Sequence, residues 1–260
     1  DAVNEAVSMS ALGNDIKLYT VIGDDALGDA FLAMIKAKGL SADGIVKDRE
    51  HGTTATVVVV SDSGEHGCMT LKDGAAGTMR YSLDTFDIDF GDAKLLSVAS
   101  LFWSKGQTDD DLKTLFAAAK ENGLLIAADM VLDQSQMRLE DIAGALKYID
   151  YLVPSLHEAS YFTGKDTPEE IAREFHKRGV KTVVLKLGEK GVFASEGGKI
   201  YYVPTIADQV VDTLGGGDNF VAGFLTGILD GKGLLEALYF GSATAAIAIS
   251  QYGANGAVKS

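Results

Sequence analysis

Asp212-Thr213-Leu214-Gly215-Gly216-Gly217-Asp218-Asn219-Phe220 is the stretch whose reading decides the fold. Three adjacent glycines carry no Cβ, so the backbone there turns tightly and approaches a ligand closely. Phe220, Val221, Phe224, Leu225 and Ile228 follow at helical spacing, which predicts a helix from about 217 to 229. The first amides of a helix lack intrahelical partners and lie at the positive end of its dipole. These features together make an anion hole suited to phosphate oxygens. A carboxylate inside such a hole, Asp218, is placed to take a proton from an attacking hydroxyl, a pairing that phosphoryl transfer requires. A glycine-rich helix entry capped by Asp218 would explain the same residues. The spacing is not that of a Walker loop, which needs Lys and then Ser or Thr after the last glycine. Nor is it the Gly-x-Gly-x-x-Gly of dinucleotide-binding folds.

Working outward, the rest of the chain alternates helix and strand. Residues 1–12 read as a helix, 16–22 as a strand, and about 26–38 as a helix closed by Gly39. Strand-like stretches at 94–99, 124–129, 151–153 and 182–187 alternate with helical patterns at 109–122, 139–146 and 168–178. A hairpin from Gly191 to Val203 leads into the glycine stretch, and a last apolar helix is expected at about 233–251. Continuous apolar strands between amphipathic helices predict an α/β fold with a mostly parallel sheet covered on both faces. Ligands in such folds sit at the carboxyl ends of the strands.

Residues 44–80 break the pattern. Thr54–Ser61 is rich in β-branched residues, Asp62-Ser63-Gly64-Glu65 supplies a turn, and Gly67–Lys72 reads as the returning strand. A small sheet projecting from one domain of residues 1–260 is expected here. The chain opens directly in a helix, where a sheet of this type leads with a strand. A strand before Asp1 and some residues after Ser260 are expected to be missing.

At 260 residues and 47% hydrophobic, the chain can bury a sizeable core. Its net charge of −14 repels phosphate backbones and anionic lipids, which argues against nucleic acid and membrane partners. No run reaches the roughly 18 apolar residues of a membrane helix. A nucleotide stays compatible, because local amides, a lysine and Mg²⁺ would hold it against the global charge. Cys68 is the single cysteine, so no disulfide framework or cysteine metal site is expected. It reads as a small buried or half-buried residue, and a reducing cytoplasm is the expected compartment. His51, His66, His157 and His176 are too scattered for a zinc site.

The glycine stretch, continued by Val-Ala-Gly-Phe, resembles the C-terminal signature of the ribokinase-like (PfkB) family of carbohydrate and nucleoside kinases. That signature is usually Asp-Thr-x-Gly-Ala-Gly-Asp-x-Phe, and Gly216 stands in place of its Ala. Asn4-x-Ala6-Val7, Leu12-Gly13 and Gly23-Asp24-Asp25-x-x-Gly28 resemble the N-terminal signature, without its customary leading Gly-Gly. The hairpin at 44–80 is similar to the family's β-lid, and Leu185-Lys186-Leu187-Gly188-Glu189-Lys190-Gly191 to its nucleotide segment. The resemblance implies a ribokinase-like three-layer α/β/α fold and transfer of the ATP γ-phosphate to a sugar hydroxyl. It also implies Mg²⁺, K⁺ in some members, and a homodimer formed through the lid. A nucleoside acceptor, and a catalytically weak sugar-binding regulator with the kinase fold, stay open as alternatives.

By that match Asp218 would be the base, and the amides of Gly215, Gly216, Gly217 and Asp218 would form the hole. Asn4 would contact substrate hydroxyls. Asp212, with carbonyls near Ala248, Gln251 and Gly253, would sit at a potassium site, or would simply cap a turn. Gly188 and Gly191 would let the backbone approach ATP. Lys186 or Lys190 would reach phosphates, or would be solvated charges at a strand end and in a hairpin. Ser242 and Thr244 would lie along the adenine pocket, or would serve close helix packing. Glu158 matches the acid of the family's Asn-x-x-Glu motif, which organises Mg²⁺, but the Asn is Ser155 here. Asp129, ending an apolar strand, is a weaker candidate.

Overall fold

The structure is a computed structural model that describes residues 1–60, 66–71, 73–132 and 136–256. The chain begins with helix α1 (Ala2–Ala11), strand β1 (Thr20–Gly23), α2 (Ala26–Ala37), β2 (Ile45–Asp48), β3 (Thr56–Val60), β4 (His66–Thr70) and a single turn, α3 (Ala75–Thr78). Then come β5 (Leu95–Leu101), α4 (Asp109–Glu121), β6 (Leu125–Met130), a 3₁₀ turn (Leu139–Ile142) running into α5 (Ala143–Leu146), β7 (Tyr151–Leu152), α6 (Leu156–Thr163) and α7 (Pro168–Lys177). The last elements are β8 (Thr182–Lys186), a short 3₁₀ turn (Gly188–Lys190), β9 (Val192–Glu196), β10 (Lys199–Val203), α8 (Gly216–Leu229) and α9 (Leu234–Ala248).

The main sheet has the order β10-β9-β8-β7-β6-β5. Strands β5 to β8 run parallel, while β9 and β10 are antiparallel additions at one edge. Side chains alternate between faces along each strand. Ile126, Ala128 and Met130 of β6 pack with Val183 and Leu185 of β8 against α4, α5 and α7, through Phe116, Leu146 and Phe175. Ala127, Val184 and Ala194 turn the other way, against Met9 of α1, Phe220 and Phe224 of α8 and Leu238 of α9. Continuous apolar strands arise because both faces are covered. The result is the expected three-layer α/β/α arrangement.

Two expectations need correction. The strand read at 16–22 forms only from Thr20 to Gly23 and lies outside the main sheet, because its hydrogen-bonding partner is β2, in parallel register Thr20↔Ile45 to Gly23↔Asp48. The region from 44 to 80 is therefore not one projecting hairpin. Its first strand belongs with β1, and α3 packs beneath β1, where Ala75 joins Val21 and Phe86 in a small core. The projecting hairpin is β3 and β4, paired antiparallel from Thr56↔Thr70 to Val60↔His66. The expected turn at 62–65, and Lys72, lie outside the described residues, as does the side chain of Cys68.

α8 and α9 cross closely because Gly223 and Gly241 offer no side chain. A Cβ on Gly223 would stand 2.3 Å from Thr244 Oγ1, and one on Gly241 would stand 2.8 Å from the Phe220 carbonyl. Among the described residues, no helix is long and apolar enough to cross a membrane.

Candidate active site

α1 addresses two neighbours with two stripes of polar side chains, each spaced one helical turn apart. Asp1 and Glu5 face β5, where Asp1 accepts from Ser100 Oγ at 2.6 Å and Glu5 Oε2 accepts from Ser97 Oγ at 3.2 Å. Asn4 and Ser8 face the start of α8, where Asn4 Nδ2 donates to Asp218 Oδ2 at 2.6 Å and Ser8 Oγ donates to Asn219 Oδ1 at 2.7 Å. The pairing of β5 with β6 shifts register between Val98 and Leu101. That irregularity lets Ser97 and Ser100, three residues apart, both meet α1. Asn255, beyond the last helix, donates from Nδ2 to Asn4 Oδ1 at 2.8 Å and so fixes the Asn4 amide with its nitrogen toward Asp218. Asn4, which the resemblance would place on substrate hydroxyls, here orients Asp218.

The entry to α8 is built as the glycines predict, with one change. Gly215 has φ +73°, and a Cβ on it would stand 2.5 Å from Ala254 Cβ. Only glycine fits that left-handed position against the 253–256 loop. Asn219 ties the same loop down by donating from Nδ2 to the carbonyls of Gly215 (2.8 Å) and Ala254 (2.7 Å). The amide of Gly216, expected to face a ligand, instead donates to the Thr213 carbonyl at 3.1 Å and closes the preceding turn. This leaves the amides of Gly215, Gly217 and Asp218 without a partner among the described residues. A Cβ on Gly216 would lie 2.9 Å from Ile249 Cγ2, so Ile249 fills the space that the family's usual alanine would occupy.

Lys186 is not a solvated strand-end charge. It ends β8 with its side chain 15% exposed, forms an ion pair with Asp129 at the end of β6, and points its Nζ toward Gly217. A Cβ on Gly217 would be 3.5 Å from that nitrogen. Burial alone would lower the Lys186 pKa, but Asp129, then Glu158 and Asp218, outweigh it, so the ammonium is held charged. Asp129 is itself buried, which pushes its carboxyl above the usual range against the pull of Lys186. Its Oδ1 accepts from the Met130 amide at 2.7 Å. Asp129, a weaker candidate from its strand-end position, thus lies in the same charged cluster as Lys186.

Ser155 starts α6 and makes a capping box with Glu158. Its hydroxyl accepts from the Glu158 amide at 3.2 Å, and Glu158 Oε2 accepts from Ser155 N at 2.8 Å and Ser155 Oγ at 2.6 Å. Serine therefore keeps the capping bond that an asparagine would make here. Oε1 of Glu158 takes part in none of these bonds. Ser155 also bridges in parallel to Lys186, which brings the two motifs side by side.

The remaining candidates divide. Asp212 joins two loops, its Oδ1 accepting from Leu214 N and its Oδ2 from Gly253 N, both at 2.9 Å. Gly188 has φ +62° with open space around it. Gly191, at φ +92°, is required by the protein itself, since a Cβ there would stand 2.1 Å from the Val203 carbonyl. Lys190 is exposed. Ser242 is half-buried on α9, while Thr244 bonds back to the Phe240 carbonyl and fills the crossing with α8. Two residues of the cluster were not anticipated. Asn255 sits in a loop with no periodicity to mark it. Glu5 is a lone acid among Ala6, Val7 and Met9, and such an acid inside an apolar run is the signal that would have found it.

A parallel α/β sheet whose strand ends meet a carboxylate at a glycine-rich helix entry, with an ammonium beside it, defines a kinase of small hydroxylated molecules. The chain belongs to the pfkB family of carbohydrate kinases, whose model matches residues 1–260. It is 27% identical over 260 residues to a ribokinase of Haemophilus influenzae, covering 98% of this chain and 82% of that one. A fructokinase from Vibrio cholerae O395, solved with fructose, ADP and calcium ion, superposes with a TM-score of 0.83 at 23% identity, covering 98% of this chain and 86% of that one. An Arabidopsis thaliana ribokinase solved with ribose and ATP gives a TM-score of 0.79 at 25% identity, covering 98% and 82%. This protein is a carbohydrate kinase that transfers phosphate from ATP to a sugar.

Proposed function

We propose that Asp218 is the base for in-line transfer of the ATP γ-phosphate to a sugar hydroxyl, and that the start of α8 holds the transferring phosphate. The observation that carries this is the position of the Asp218 carboxylate. Asn4 holds it at a helix N-terminus where the amides of Gly215, Gly217 and Asp218 have no partner among the described residues. Unpaired amides and a helix dipole stabilise charge developing on phosphate oxygens. Lys186 adds a fixed positive charge next to Gly217. Removing one such donor costs on the order of 10²–10³ in rate.

Mg²⁺ fits the donor set, because Glu158 Oε1 is left over from the capping box and hard oxygen ligands suit that ion. Among the described residues no three acids or histidines cluster as a dedicated metal cage. That is the pattern expected when nucleotide phosphates and waters supply most ligands. Bound there, the ion would neutralise charge on the phosphates. Glu158 would hold it through water, and Ser155 would orient Glu158. Asp212 ties the 212–214 loop to the 253 loop behind the hole, and K⁺ is proposed to bind the carbonyls of that loop pair. Gly188 and Ser242 are proposed to border the nucleotide.

The β3–β4 hairpin is proposed to close over the sugar and to pair two copies. Val57, Val59, Met69 and Leu71 are all more than half exposed on it, an apolar surface that a monomer leaves wet. A reducing cytoplasm is the proposed compartment. Turnover measured against pentoses, hexoses, keto-deoxy acids and nucleosides, by coupling ADP release to an optical signal, tests the acceptor class. A neutral sugar as best substrate fits the proposal, and turnover with nucleosides alone would contradict it. The same assay in K⁺, Na⁺ and Li⁺ tests the monovalent ion, and sedimentation equilibrium tests the dimer.

A further inference from the structure

Glu5 is 3% exposed, and its Oε1 is the buried side-chain oxygen that finds no hydrogen-bond partner among the described residues. Its other oxygen has only the 3.2 Å bond from Ser97 on β5. The charged groups that face it are Asp129 on β6, Asp218 on α8 and Lys186 on β8. Lys186 is already paired with Asp129. An ionised Glu5 would therefore sit in a dry site with one long neutral hydrogen bond and two carboxylates for neighbours. Ionised carboxyls without a partner are not tolerated in such surroundings, and the group keeps its proton instead.

We propose that Glu5 is a positioning residue for phosphoryl transfer, working as a neutral carboxyl that seats α1 on β5 so that Asn4 holds Asp218. It touches neither reacting group. It acts through its neighbour Asn4, one residue earlier on the same helix turn. The inference rests on the reading of Asp218 as the base. Burial first, then Asp129 and Asp218, push the Glu5 carboxyl up to about 8, so its proton is present at neutral pH and leaves in mild alkali. Ionisation there adds a negative charge beside Asp129 and Asp218 and loosens the seat of α1.

The test compares wild type, Glu5→Gln and Glu5→Ala, each measured for kcat and KM with the best sugar from pH 6 to 9.5, alongside thermal unfolding at each pH. Glutamine keeps the shape of a neutral carboxyl and cannot ionise. The proposal expects Glu5→Ala to lose at least about tenfold in kcat at every pH and Glu5→Gln to restore the neutral-pH rate to within about threefold, the loss of one buried hydrogen bond being the scale. It expects the alkaline fall near pH 8 to be present in wild type and absent in Glu5→Gln. The melting temperature of Glu5→Gln should gain on wild type as pH rises from 6 to 9. Superimposed wild-type and Glu5→Gln rate profiles would overturn the proposal, as would a Glu5→Gln enzyme that stays more than about threefold below wild type at pH 7. Asp218→Asn, run in parallel, separates the two readings. Full activity there would remove the base assignment, while the pH-dependent melting difference would still report the charge on Glu5.

Discussion

Asn4 Nδ2 donates to Asp218 Oδ2 at 2.6 Å, joining the first helix to the glycine-rich entry of α8 across 214 residues of chain. Asn255 fixes the far side of the same amide. The Asp218 carboxylate is thus oriented by a side chain that is itself oriented.

This relationship predicts the effect of substitutions at residue 4. Asn4→Ala removes a hydrogen bond to a charged group, a loss of about 1.5–3 kcal/mol, or roughly 10- to 150-fold in kcat/KM for the sugar. Asn4→Asp should be worse, since it sets a second carboxylate beside Asp218. The KM for ATP should change little in either. Steady-state kinetics with each substrate varied in turn checks this.

The two adjacent glycines should behave oppositely. Gly215→Ala forces a side chain into a left-handed position, at about 1–2 kcal/mol, and also against Ala254 at 2.5 Å. It should cost most of the activity. Gly216→Ala meets only the movable Cγ2 of Ile249 at 2.9 Å and should retain activity within a few-fold. Pairing Gly216→Ala with Ile249→Leu, which removes the Cγ2 branch, should improve it. Turnover and melting temperature of the three variants decide the point.

Asp129 is buried and Lys186 largely so, which makes breaking the pair expensive. Lys186→Met leaves Asp129 unpaired and should lower stability by about 3–5 kcal/mol in urea unfolding. Adding Asp129→Asn should restore much of that stability. It should not restore the phosphoryl-transfer rate, because the ammonium beside Gly217 is still gone. Recovery of both together would mean that Lys186 is purely structural.

Acid should release the loop at Thr53. Asp25 accepts from the amides of Thr53 and Gly28, both at 2.8 Å, and from Thr53 Oγ1 at 2.7 Å. These bonds, the Thr53 amide foremost, lower its pKa from 3.8 to about 2. The folded value lies below the unfolded one. The stabilisation is therefore fully present above pH 3.8 and is lost as pH falls through about 2. Asp25→Asn should melt lower than wild type at pH 7, and the gap should close in strong acid.

Much of this was legible in the sequence, for reasons particular residues make plain. The run Gly215-Gly216-Gly217 before an apolar helix could only be a tight entry, and Gly39, Gly123 and Gly179 marked helix ends that the structure places at φ +76°, +80° and +94°. Helix α6 was missed although Ser155 and Glu158 spell a capping box, because its eight residues are too few to show a helical apolar period. Strand β2 was absorbed into the hairpin because its four residues, exposed in the middle and half-buried at both ends, give no alternation. The partnerships of Asn255 with Asn4 and of Lys186 with Asp129 span 251 and 57 residues, and no local pattern encodes contacts that the fold alone brings together. Burial turned Lys186 from a surface charge into a site residue, and burial is a property of the packed sheet.

The central claim is that Asp218 takes the proton from the sugar hydroxyl. The most direct measurement is single-turnover phosphoryl transfer by Asp218→Asn, which keeps the size of the side chain and a hydrogen bond with Asn4. A rate lowered by on the order of 10²–10⁴, with ATP binding retained by calorimetry, is the expected result. A rate within a few-fold of wild type, with ATP binding intact, would contradict the account.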